Sequence, residues 1–177
     1  MRIIAGQWRG RKLRTPKGRG GIRPTSDRTR EALFNLLGPA IQDGPFIDLY
    51  AGTGAVGLEA ASRGAPTVIL VEHHKVAQSL CRANMEALGA DQVELRPARA
   101  DQPGPLPLAQ VAFADPPYEL PMEAALNALL ACELLPGGRW VLERRSSDAV
   151  PSLSESVAVA SERVYGEARL LILEKAT

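Results

Sequence analysis

Between residues 45 and 145 the chain alternates short apolar runs with stretches of helical period, and this alternation leaves few architectures open. "PFIDLYA" (45–51), "PTVILVE" (66–72), "DQVELRPA" (91–98) and "QVAFADPP" (110–117) read as buried strands. "AVGLEAASRG" (55–64), "HKVAQSLCRANMEALG" (74–89) and "PMEAALNALLACELL" (121–135) read as the helices between and after them, and "PGG" as a turn into the strand "RWVLERR" (139–145). Strands joined through helices cannot pair as hairpins, so the sheet must be mostly parallel, with both faces covered. The pattern breaks in "SVAVASERVYGEARLLILEKA" (156–176), where two strand-like runs joined through Gly166 predict a terminal antiparallel hairpin. Upstream, "MRIIAGQWRGRKLRTP" predicts a small β-hairpin, and "TSDRTREALFNLLG" a helix capped by Thr25 or Ser26, closed by Gly38 and stopped by Pro39. The expectation is α/β: a mostly parallel seven-stranded sheet over residues 25–177, preceded by a hairpin arm over residues 1–24.

Sheets of this kind bind ligands at the carboxyl ends of their strands, where the connections reverse. The first strand leads into "DLYAGTGAVG", with Asp48 at its exit and Gly52, Gly54 and Gly57 in the following turn. The glycines let backbone approach a ligand, or they serve only a tight turn and close helix packing. The next strand ends in Glu72, eighteen residues after Gly54, at a spacing suited to a ribose hydroxyl. Asp48 separates the possible cofactors. A dinucleotide would set its pyrophosphate against that carboxylate, whereas the ammonium and sulfonium of S-adenosylmethionine are attracted to it. Lys-Ser or Lys-Thr does not follow the glycines, which disfavours a nucleoside triphosphate.

"FADPPYE" (113–119) ends the fourth strand. An exocyclic base amine is a weak nucleophile because its lone pair is delocalised into the ring, and acceptors aimed at its N–H groups restore its basicity. The Asp115 carboxylate and the Pro116 carbonyl, stiffened by Pro117, are suited to accept those hydrogens, and Tyr118 to stack on the base. A stiff turn with a packed tyrosine is the plainer alternative. The position of the motif, on the same sheet edge as the glycine turn, favours the catalytic one.

Charge is distributed unevenly. Ten Lys or Arg and one acid fall in residues 1–30, against eleven basic and nineteen acidic side chains in the remainder. Basic residues interleaved with Ile3, Ile4, Trp8 and Leu13 suggest a structured arm that binds a polyanion. The two cysteines, Cys81 and Cys132, sit in apolar helix-like segments without metal-ligand spacing and read as reduced core residues. No apolar run long enough to span a membrane occurs, and a cytoplasmic location is expected.

Taken together, "MRIIAGQWRGRKL", "RPTSDRTREALFNLL", "DLYAGTGAVGLEAASRGA", "VE" and "ADPPYE" resemble, in order and across nearly the whole chain, the bacterial RsmD-type 16S ribosomal RNA guanine-N2-methyltransferases. The resemblance implies a Rossmann-like class I fold and S-adenosylmethionine-dependent methylation of one guanine of small-subunit RNA, on an assembled or partly assembled 30S particle, by a monomer that needs no metal. It implies cofactor contacts from Arg23, Thr25, Asp48, Ala51, Gly52, Thr53, Gly54, Glu72 and His73, catalysis by Asp115, Pro116, Pro117 and Tyr118, and RNA binding by Arg9, Arg11, Lys12, Arg14, Arg23 and Arg28. Where similar proteins carry an acid beside a small residue to hold adenine, this chain has Arg99 and Ala100, so adenine falls to the Ala100 backbone or to Asp101. Three other readings stay open: an adenine-N6 methyltransferase, a nicotinamide-dependent oxidoreductase that would leave Asp48 and "DPPY" unexplained, and a noncatalytic RNA-binding assembly protein that would not need "DPPY".

Overall fold

The computed structural model describes residues 1–16 and 27–176. Its strands are β1 (Phe46–Asp48), β2 (Val68–Val71), β3 (Val93–Arg96), β4 (Ala109–Ala114), β5 (Leu134–Arg145), β6 (Val157–Tyr165) and β7 (Ala168–Lys175). They form one seven-stranded sheet in the order β3-β2-β1-β4-β5-β7-β6. The pairs from β3 through β5 are parallel, while β7 runs antiparallel between β5 and β6. The chain builds outward from β1 to β3 and then returns to place β4 on the other side of β1. The order therefore reverses between β1 and β4, and the reversal opens a crevice at their carboxyl ends.

Helices α1 (Asp27–Leu37), α2 (Ala55–Ser62), α3 (Lys75–Leu88) and α4 (Met122–Leu130) accompany the sheet. β1 is buried on both sides, with Phe46 in one apolar cluster and Ile47 in the other, which is why its sequence is continuously apolar up to Asp48. Gly57 settles the role of the third glycine: a Cβ there would come within 2.2 Å of a Leu70 methyl, so its bareness lets α2 lie against β2.

As the sequence reading expects, α1 ends at Leu37, with Gly38 left-handed at φ 59° and Pro39 next to it; Pro39 then sits in a separate 3-10 turn, Gly38–Gln42, where a residue without an N–H leaves no bond unmade. Two local expectations change. The proposed caps Thr25 and Ser26, and the boundary between arm and body at residue 24, lie outside the described residues. The last helix ends at Leu130 and not at Leu135, because Leu134 is drawn into β5 opposite Ala109. "PGG" is consequently a bulge inside β5, where pairing jumps from Ala109↔Leu134 to Val111↔Arg139. Gly138 is required in it: a Cβ would sit 2.7 Å from the Ala109 carbonyl oxygen.

The arm is pinned to the body. Its hairpin is reduced to a single antiparallel bridge, Arg2↔Lys12. The buried Glu59 carboxylate on α2 accepts the Ile4 and Ala5 amides at 2.8 and 2.9 Å, and the Ser62 hydroxyl accepts the Trp8 amide at 3.0 Å. Ile3, Trp8 and Leu13 join the same apolar cluster as α1 and α2.

Candidate active site

A cleft of about 1560 Å³ opens over the crevice between β1 and β4. Leu13–Pro16 of the arm line one side of it, and Tyr165–Ala168, at the turn between β6 and β7, line another. The charged side chains of the interior come from successive strand ends.

Asp48 closes β1 at only 1% exposure, and its carboxylate accepts the Tyr50 amide at 3.3 Å. Burial pushes its carboxyl up to about 8, with the negative charges of Asp115 and Glu72 adding to the shift and the Tyr50 and Gly57 amides opposing it. Glu72, just past β2, grips the glycine turn: one carboxylate oxygen accepts the Gly52 amide at 2.9 Å and the other the His74 amide at 2.7 Å. The turn follows with Gly52 and Gly54 at φ 56° and 81°, left-handed values that side chains other than glycine rarely adopt.

A third residue fixes the turn from α3. The buried Asn84 amide donates to the Thr53 and Arg14 carbonyls at 2.9 and 3.1 Å, and its oxygen accepts the Arg14 amide at 2.7 Å. One side chain thus ties the glycine turn to the arm. The Cys81 thiol is buried beside it and donates to the Gly52 carbonyl at 3.1 Å.

Past β4, Asp115 is half-buried, Pro116 buried, Pro117 exposed and Tyr118 half-buried, all four on the cleft. Their loop is held by β5. The Arg144 guanidinium, nearly buried, bonds Asp148 at 3.0 Å through Nε, donates from Nη1 to the carbonyls of Pro117 and Leu120 at 3.4 and 3.3 Å, and from Nη2 to the Tyr118 carbonyl at 3.5 Å. Arg145 lies 4.2 Å over the Tyr118 ring, which covers one face of the tyrosine with a cation.

Of the residues expected to hold a cofactor, Asp48, Ala51, Gly52, Thr53, Glu72 and His73 meet on this cleft. Gly54 shapes the turn from behind. Ala100 is buried in the apolar cluster that contains Ile47 and Val71, and the neighbouring Arg99 and Asp101 are exposed and paired at 2.9 Å. Arg23 and Thr25 lie outside the described residues. Among the basic residues, Arg14 and Arg28 reach the rim, while Arg9, Arg11 and Lys12 are exposed farther along the arm. Among the described residues no helix is long and apolar enough to cross a membrane, and no cluster of His, Cys, Asp or Glu could hold a metal.

Asn84, Glu143, Arg144 and Arg145 are functional candidates that the sequence reading did not single out. "LERR" carried a signal in retrospect, since three charged residues at the carboxyl end of a buried strand are unusual next to a ligand crevice. Asn84 had none, as it is one polar residue in an amphipathic helix.

The model of the family described as "Conserved hypothetical protein 95" matches residues 1–174. "Ribosomal RNA small subunit methyltransferase D" of Escherichia coli K12 is 36% identical over 179 residues, covering 94% of this chain and 86% of the relative. The protein of the same description from Haemophilus influenzae is 39% identical over 139 residues, 75% of this chain and 71% of the relative. Among solved structures, a putative methyltransferase of Escherichia coli superposes with TM-score 0.85 at 31% identity, covering 99% of this chain and 97% of that one. A putative RNA methyltransferase of Pyrococcus horikoshii, at 17% identity and TM-score 0.73, shares the fold over 94% of this chain and 95% of that one.

Proposed function

The chain belongs to the family described as conserved hypothetical protein 95, a small-subunit ribosomal RNA methyltransferase family, and we propose that it methylates the exocyclic N2 amine of a guanine in 16S ribosomal RNA using S-adenosylmethionine. The observation that carries the reading is the pairing of two acids on one cleft: Asp48 at the end of β1 and Asp115 at the end of the adjacent β4. The first is placed for a cation and the second for an amine.

The residues present fit the cofactor. The buried Asp48 carboxyl, raised to about 8, is a group whose ionisation a neighbouring ammonium or sulfonium restores. Glu72 keeps further acceptor capacity after taking the Gly52 and His74 amides, so a ribose hydroxyl can add to it. When bound, S-adenosylmethionine supplies an electrophilic methyl group. The chain's own residues prepare the nucleophile: Asp115 and the Pro116 carbonyl accept the amine hydrogens, Arg144 fixes the loop that carries them, and the Tyr118 ring stacks on the base. Asp115 would then hold the proton that the amine gives up as its nitrogen takes the methyl group, the methyl–sulfur bond breaking to leave a neutral thioether.

The arm is the RNA-binding element, and residues 25–177 are the methyltransferase domain. A cytoplasmic location and a monomeric state go with this reading. Mapping the methyl group on small-subunit RNA after incubation with protein and labelled cofactor should find one modified guanine amine. Label on adenine, or none, would overturn the assignment. Replacing Arg9, Arg11 and Lys12 together should weaken RNA binding and leave cofactor affinity nearly unchanged. Each lost phosphate contact should lower the log–log salt slope by about 0.7 to 0.9, and an unchanged slope would show that these side chains do not meet phosphate.

A further inference from the structure

We propose that Glu143 is the residue that makes the site select guanine, by accepting the base's N1–H beside the amine that Asp115 holds. The proposal rests on the base-amine reading above and names how that site tells one base from another. Its basis is register. Ala114 of β4 pairs with Leu142 of β5, and both face one apolar cluster; Phe113 pairs with Val141, and both face the other. β4 ends at Ala114, and continuing its register with β5 one step past Ala114↔Leu142 sets the backbone of Asp115 beside that of Glu143 on the Phe113 and Val141 face, at about one strand spacing, roughly 4.8 Å. Both line the cleft, with Tyr118 and Arg145 next to them. Glu143 is 5% exposed, anchored in β5 opposite Leu170, and cannot swing away as a surface carboxylate would.

Two acids rising from adjacent strand ends onto one cleft match a specific chemical pattern. Guanine presents adjacent donors on its Watson–Crick edge, the N1–H and the N2 amine. Adenine and 2-aminopurine present a bare N1 lone pair beside their amines. With Asp115 on the amine, Glu143 meets N1: it accepts a hydrogen bond from guanine and faces a lone pair in the other two. An acid at this place therefore attracts the correct base and repels the wrong ones. Asp115 and Pro116 alone would serve any exocyclic amine.

The test uses ribosomal RNA carrying either guanine or 2-aminopurine at the mapped position, reconstituted into small-subunit particles. 2-Aminopurine keeps the reactive amine and lacks the N1–H. The intact protein should methylate guanine at least on the order of tenfold faster. In Glu143→Gln, whose amide can donate to a bare N1, the ratio should fall on the order of tenfold to a hundredfold. Binding gives a second readout independent of turnover: quenching of 2-aminopurine fluorescence as the base stacks should show tighter capture by Glu143→Gln than by the intact protein. A merely structural defect would weaken both bases together. An intact protein that treats the two bases alike, or a variant that keeps the ratio or loses both activities equally, would overturn the proposal. Failure of methyl transfer to guanine by the intact protein would instead overturn the underlying function.

Discussion

Asp115→Ala is expected to slow single-turnover methyl transfer on the order of a hundredfold or more, while cofactor affinity stays unchanged or improves slightly. The rate loss follows from when the carboxylate acts. Its hydrogen bond strengthens as the amine becomes pyramidal, so it stabilises the transition state more than the bound base, and removing one such preorganised group has effects of this size. The binding half follows from the electrostatics, since the charge of Asp115 is one of the influences that raise the Asp48 carboxyl. Tyr118 should behave differently. Stacking needs the ring, so Tyr118→Phe should remain active, and Tyr118→Ala should lose about 1 to 3 kcal/mol of base binding. Rapid-quench methylation of small-subunit particles, with melting curves for each variant, separates these outcomes. An active Asp115→Ala or a dead Tyr118→Phe would reduce "DPPY" to a structural turn.

Asp48 gives the second large effect, read through pH. In the folded protein its carboxyl titrates at about 8, against 3.8 for the ordinary group. Between those values the unfolded chain is ionised and the folded chain is protonated, so unfolding releases a proton. This contribution to stability is fully present below about pH 3.8 and is lost progressively as pH rises to about 8, by at most about 1.4 kcal/mol per unit. Cofactor binding should show the mirror image. The positively charged ligand favours the ionised carboxylate, so its affinity should rise by up to about tenfold per pH unit toward pH 8 and then level. Asp48→Asn should flatten both profiles relative to the intact protein. Calorimetry in buffers of different ionisation heat would detect the proton released on binding, and an affinity that does not vary between pH 6 and 8 would contradict the assignment.

Much of this was legible from residues alone, for identifiable reasons. β1, β2 and β4 are buried on both faces and announce themselves as unbroken apolar runs, and Asp48, Glu72 and Asp115 stand out because each ends such a run. Local rules failed where distant residues decided the outcome. Leu134 left the helical pattern for a place opposite Ala109, and Pro136 to Gly138 became a bulge because β5 had to regain register with β4. The clamp of Arg144 on the loop and the stack of Arg145 on Tyr118 join residues 24 to 27 positions apart, which periodicity cannot pair.

The placement of β7 between β5 and β6 has a consequence for how the protein is made. A nascent chain that has emerged only through residue 165 carries Asp48, Glu72, Asp115 and Glu143 of the cleft, yet β5 still presents an unpaired edge and β6 has no neighbour to hold it. Only insertion of residues 168–175 between them finishes the sheet and brings the Tyr165–Ala168 turn to the cleft rim. Activity should therefore appear late and all at once during synthesis, and chains stalled before this insertion should be the aggregation-prone species, joined to one another through β5.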